Sequence, residues 1–112
     1  MYIQVNIGRN FVPNKYNQFA GTLSDQEWQD YQDLVVSLLD NYREHSDMGH
    51  EMPEVHLGIG TWDGVSEETA KISLYHEGGF DLDGIREQLF RLKKEYSQDS
   101  IITIEAETIC PN

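Results

Sequence analysis

The chain has 112 residues, and its 20 Asp and Glu face only 8 Lys and Arg, for a formal net charge of −12. A content of 38% hydrophobic and 25% charged residues is that of one folded domain rather than a disordered chain. The charge argues against direct binding of a nucleic-acid backbone, where cationic side chains must replace the counterions, and points to basic protein surfaces or cationic ligands as partners.

Cys110 is the single cysteine, so an intrachain disulfide is ruled out and a reducing, cytoplasmic setting is expected. The opening MYIQVNIG lacks a basic stretch followed by an apolar one. No run approaches the roughly 18 apolar residues of a membrane span.

Residues 2–8 alternate, with Ile3, Val5 and Ile7 on one side and Tyr2, Gln4 and Asn6 on the other, the period of a half-buried strand. RNFVPNKYNQFAG, with its Pro, Asn and Gly punctuation, reads as a long loop over residues 9–23. LSDQEW then opens a helix: Ser24 is the N-cap, Glu27 completes a capping box, and Leu23 and Trp28 form a hydrophobic staple. Trp28, Tyr31, Val35, Leu38, Leu39 and Tyr42 make one apolar stripe, which predicts a helix to Arg43 or Glu44. Residues 45–53 are a connector.

Residues 55–62 alternate again, with Val55, Leu57 and Ile59 opposed to His56, Gly58, Gly60 and Trp62. Residues 69–76 do the same, with Ala70, Ile72 and Leu74 as the apolar set. An antiparallel pairing that sets Leu57 opposite Leu74 and His56 opposite Tyr75 lets both sets share one core face, with Asp63-Gly64 as turn chemistry between them. Phe80 and Asp81 open a second helix, in which Leu82, Ile85, Leu89, Leu92 and Tyr96 form the stripe and Phe90 lies off it. Residues 100–109 form the last strand, with Ile102, Ile104 and Ala106 facing inward and Thr103, Glu105 and Glu107 outward.

The order βαββαβ predicts one α+β domain over residues 1–112, a ferredoxin-like sandwich with a four-stranded antiparallel sheet and two helices on one face. Ile3, Leu57, Ile72 and Ile104 should then share a core. The other face would present Tyr2, Gln4, Asn6, His56, Trp62, Lys71, Ser73 and Tyr75, a mixed surface suited to a homodimer. Sheet aromatics can also stack RNA bases, but here no basic rim surrounds them.

Motifs for chemistry are sparse. His45, His50 and Glu51 lack HExxH or paired-cysteine spacing, so no metal site is assigned. DGVSEE and DNYREHSD lack the oxygen order of a calcium loop. His56, Tyr75 and Glu105 on one sheet face could serve acid–base work, the basis of a cofactor-free enzyme reading, but no spacing there is a catalytic signature and no catalytic residue is assigned. No cofactor is implied.

LSDQEW, GTWDG followed by an acidic pair, and YSQDSI together resemble segments of a family of small bacterial and phage proteins of unassigned function. The resemblance runs from Leu23 to Ile101 and leaves NFVPNKYNQF outside it. It implies an α+β ferredoxin-like unit, carries over no catalytic residue, and favours a small acidic inhibitor or sequestering protein.

The leading expectation is therefore a non-enzymatic acidic protein that occupies a basic, nucleic-acid-binding site on another protein. Its contacts would be Asp25, Asp30, Asp33, Asp40, Glu44, Asp47, Asp63, Glu67 and Glu68. The alternative is a homo-oligomer that binds or sequesters a small ligand through Arg9, Lys15, Tyr16, His56, Trp62, Lys71 and Tyr75.

Overall fold

Alternation in residues 2–8 becomes the centre of a sheet. In the computed structural model, which describes residues 1–11, 21–44, 52–62, 64–96 and 102–106 (residues 62 and 102–106 as backbone), β1 spans Tyr2–Gly8 and buries Ile3, Val5 and Ile7. Asn10–Phe11 (β2) and Gly21–Thr22 (β3) pair as a short antiparallel ribbon, so the base of the expected long loop is hydrogen-bonded backbone. The helices α1 (Asp25–Asn41) and α2 (Leu82–Glu95) and the strands β4 (Glu54–Trp62), β5 (Val65–Tyr75) and β6 (Ile102–Ala106) complete the order.

The protein is α+β, with two helices and an antiparallel sheet ordered β4-β5-β1-β6. Directly opposed residues of an antiparallel pair share a face, and β1 sets Ile3, Val5 and Ile7 against Leu74, Ile72 and Ala70 of β5. All six are at most 3% exposed. Onto them pack Trp28, Tyr31, Val35, Leu38 and Leu39 of α1 and Ile85, Leu89 and Leu92 of α2, so both helices lie on one side of the sheet. Tyr31 stacks on Tyr96 with ring centroids 4.4 Å apart, joining the two helices.

The caps are those the sequence predicts. Ser24 Oγ accepts from the Glu27 amide at 3.2 Å while the Glu27 carboxylate accepts from the Ser24 amide at 3.1 Å, and Leu23 and Trp28 are both buried. Helix α1 stops two residues earlier than its stripe suggests. Tyr42 is its C-cap, and the exit backbone turns to meet the approach to α2: Arg43 bridges Phe80, and the Asp81 amide donates to the Tyr42 carbonyl at 3.0 Å.

Three expectations are corrected. The hairpin register sets Leu57 opposite Ala70 and His56 opposite Lys71, not Leu74 and Tyr75. Trp62 pairs with Val65, so the connection is the two residues 63 and 64 alone, and Gly64 takes φ +78°. An Asp-Gly pair is the preferred two-residue hairpin loop because its backbone twist matches that of the strands. The acidic stretch VSEET is thereby drawn into β5 rather than left as a loop.

Second, the aliphatic side of β4 is not core. Val55, Leu57 and Ile59 are 40%, 70% and 77% exposed, because β4 is the outermost strand and the buried helix residues gather over β5 and β1. Third, β6 pairs with β1 in a register that sets Ile104 opposite Gln4 and Thr103 opposite Val5, the reverse of the expected parity. The shared core predicted for Ile3, Leu57, Ile72 and Ile104 is thus shown for Ile3 and Ile72.

Two stability predictions follow from these contacts. Ser24→Ala should cost about 1 kcal/mol in denaturant unfolding. The Ser24 amide and hydroxyl hold the Glu27 carboxyl below its ordinary value of 4.5. Its contribution is therefore present above the ordinary glutamate range and lost as pH falls through the depressed folded value, so the Ser24→Ala penalty should shrink in acid. Tyr31 is fully buried, and its hydroxyl has no hydrogen-bond partner among the described residues. Such a group costs about 1–3 kcal/mol in desolvation, so Tyr31→Phe should leave the melting temperature unchanged or raise it.

Candidate functional site

The nine candidate acids do not form one free surface, because the few cations and the backbone engage several of them. Arg9 closes β1 and reaches three ways. Its Nε donates to the Leu23 carbonyl at 2.8 Å, one terminal nitrogen donates to Asp25 at 2.6 Å, and the other donates to Glu68. The backbone repeats the join, since the Arg9 amide donates to the Glu68 carbonyl and the Leu23 amide to the Arg9 carbonyl, each at 3.0 Å. Asp25 and Glu68 together hold the Arg9 guanidinium more firmly protonated than usual, with Asp25 the larger influence.

Glu67 and Glu68, adjacent on β5, go to opposite faces of the sheet. Glu67 accepts from the Asn10 amide at 2.9 Å and lies over Gly8, where an added Cβ would stand 2.6 Å from its carboxylate. Asp40 pairs with Arg43. Glu44 offers its main-chain carbonyl to Nε2 of His76, a fully buried histidine that sequence reasoning did not single out and that ties the exit of α1 to the end of β5. Only its tertiary setting distinguishes His76 from a solvent-facing strand end. Asp47 and Asp63 lie outside the described residues.

Asp30 and Asp33 remain. Each accepts a hydrogen bond from a neutral glutamine one turn earlier, Gln26 at 2.8 Å and Gln29 at 2.9 Å, rather than from a cation. Three residues apart, they project from the same side of α1. With Leu34, Ser37 and Tyr96 they line an open groove of about 330 Å³ between α1 and the end of α2. Partial burial raises the pKa of the Tyr96 phenol, and the neighbouring Glu95, Asp30 and Glu27 carboxylates raise it further. Leu34 is 42% exposed, giving the acidic face an apolar centre. The sequence contained the signal for this groove in Asp30, Asp33 and Leu34 on the polar flank of the helix, but not the approach of Tyr96.

The residues of the small-ligand alternative are dispersed. Arg9 is committed to its two carboxylates, while His56 stands across from Lys71 on the open face and within 3.3 Å of Glu54. Tyr75 is four residues along β5 from Lys71 and pairs with Tyr2, so the expected juxtaposition of His56 and Tyr75 does not occur. Ser73, expected on the open surface, is 5% exposed. Lys15 and Tyr16 lie outside the described residues, as does the Trp62 side chain, and Glu105 is described by its backbone register with Ile3.

Three of the four cations of α2 have local contacts, Arg91 with Glu87 at 2.9 Å, Arg86 with Asp83 at 3.8 Å, and Lys94 over the Phe90 ring at 4.5 Å. Among the described residues no three His, Cys, Asp or Glu side chains are grouped to hold a metal ion, and no helix is long and apolar enough to cross a membrane. Comparison with protein-family models, with curated proteins and with solved structures finds no match to this chain.

The Arg9 junction can be tested by unequal substitutions. Asp25 is almost fully exposed, so Asp25→Asn should cost little stability, whereas Arg9→Met, which also removes the bond to the Leu23 carbonyl, should cost clearly more. Equal losses for the two variants in chemical denaturation would contradict this division.

Proposed function

We propose that this chain is a small acidic interaction protein, built on a ferredoxin-like sandwich, that blocks a basic site on another protein of the kind that otherwise receives nucleic acid. The strand order β4-β5-β1-β6 with both helices on one face supports the ferredoxin-like reading. The observation that carries the function is the groove of Asp30, Asp33, Leu34, Ser37 and Tyr96: two carboxylates beside a partly apolar floor, with no cation among its described lining residues. Lysine or arginine from a partner would meet the carboxylates, and its methylene stem would lie on Leu34 and the Tyr96 ring.

The net charge of −12 adds a second contribution by speeding encounter with a positive surface. Asp25, Asp40, Glu67 and Glu68 take part in this long-range field while their short-range bonds hold the fold. Asp30 and Asp33 supply the direct contacts. No reaction is assigned to the site.

The test compares the wild-type chain with Asp30→Asn/Asp33→Asn as bait on extract of the native host. A cationic partner should be retained by the wild type at low salt, released as ionic strength rises from about 0.1 M to 1 M and the Debye length falls from about 10 Å to 3 Å, and weakened severalfold or more by the double variant. Retention that ignores both salt and neutralisation would defeat this reading.

A further inference from the structure

Two properties of β4 coincide. It is the terminal strand of the sheet, so among the described residues the backbone groups along its outer side have no strand partner. It also carries Val55, Leu57 and Ile59 on the face that, one strand inward, holds the buried Ala70 and Ile72, yet these three side chains stand in solvent. Soluble proteins protect long edges with lysine, proline, bulges or inward charges. From Val55 to Trp62 this strand has none of them, and its one titratable side chain there, His56, is on the other face.

We infer that β4 is the pairing edge of a homodimer, in which the β4 strand of a second copy continues the sheet antiparallel across a two-fold axis. A self-complementary antiparallel pair keeps opposed residues on one face, which places both helical layers on the same side and requires opposed positions of equal parity. Centring the axis on Gly58 uses all nine residues of the strand. Leu57 then faces Ile59 of the second copy, Ile59 faces its Leu57, and Val55 faces its Thr61.

The aliphatic side chains of the two copies close over one another in the trough between the helical layers. Gly58 meets Gly58 on the axis, where neither copy has a side chain to obstruct approach. Self-repulsion is small along this line, because Glu54 falls opposite Trp62 and the two Glu54 carboxylates lie about 26 Å apart. Glu68, beside Ile59 on β5, is already matched by Arg9.

The size of the surface fits a dimer. Three aliphatic side chains exposed on one strand form a patch of roughly 300 Å², at the threshold that marks an interaction site. Doubled by symmetry it supplies about half of the roughly 1,200 Å² at which specific interfaces begin, and nine residues of paired backbone with their flanks supply the rest. This apolar share is that of ordinary protein interfaces. The inference is independent of the acidic groove, which no β4 residue lines.

Sedimentation equilibrium of the full chain, with hydrogen exchange of the β4 amides, tests the assignment. The wild type should sediment at twice its 12.9 kDa chain mass, with alternate β4 amides protected beyond what β5 alone explains. Leu57→Lys and Ile59→Lys, at exposed positions, should each raise the dimer dissociation constant by roughly 30-fold or more and remove that protection, while Tyr75→Ser on the open face should change neither. Leu57→Ser serves the same purpose should a lysine variant unfold. A monomer across the concentration range overturns the inference. So does a dimer indifferent to Leu57 and Ile59, a dimer lost with Tyr75→Ser, or growth into larger assemblies.

Discussion

Pairing of β1 with β5 organises everything else. Ile3 against Leu74, Val5 against Ile72 and Ile7 against Ala70 form a strip two strands wide that is closed to water on the helical side. Full burial of one such side chain is worth about 1.5–3 kcal/mol, more than any exposed ion pair in the molecule can supply. Both helices are amphipathic, and this strip is the apolar surface on which they meet: α1 through Trp28, Tyr31, Val35 and Leu39, α2 through Ile85, Leu89 and Leu92. The stacked Tyr31 and Tyr96 rings close the layer between the helices, and in doing so bring Tyr96 beside Asp30 and Asp33.

Charge is distributed in a way that the total of −12 hides. Where an acid helps to hold the fold it has a partner: Asp25 and Glu68 at Arg9, Asp40 at Arg43, Glu67 at a main-chain amide. Where acids line the groove their hydrogen-bond donors are neutral glutamines, which orient the carboxylates without cancelling them. A surface charge left uncompensated costs self-repulsion, and a binding site for a cation is one way for that cost to be offset. The same logic separates Asp30 and Asp33 from Asp25, Asp40, Glu67 and Glu68, which the helix and loop sequences present as equals.

Apolar surface is divided in a parallel way. The helical layer covers the strip of β1 and β5 but ends before β4, so three aliphatic side chains that continue the core pattern stand outside the core. An edge strand so composed is either a hazard or an interface. Acidic groove and aliphatic edge thus occupy different parts of the molecule, and the partners we propose for them differ accordingly, a cationic protein for one and a second copy of the chain for the other.

Local chemistry was enough to read the helices. The Ser24 to Glu27 capping box, the Leu23 to Trp28 staple and the Asp81 cap each depend on residues within five positions of one another, and they form as predicted. Strand β1 was equally legible from its alternation. The hairpin register was legible in principle in Asp63-Gly64, but a two-residue loop competes with longer ones that keep the same faces inward, and only the pairing of Trp62 with Val65 selects between them. What tertiary structure alone decided is coverage. Alternation marks which side of a strand is apolar, but burial requires another element above it, and the lateral position of a helix over a sheet follows from the packing of the whole layer. For that reason Leu57 and Ile72, equivalent in sequence pattern, ended on opposite sides of the boundary between water and core.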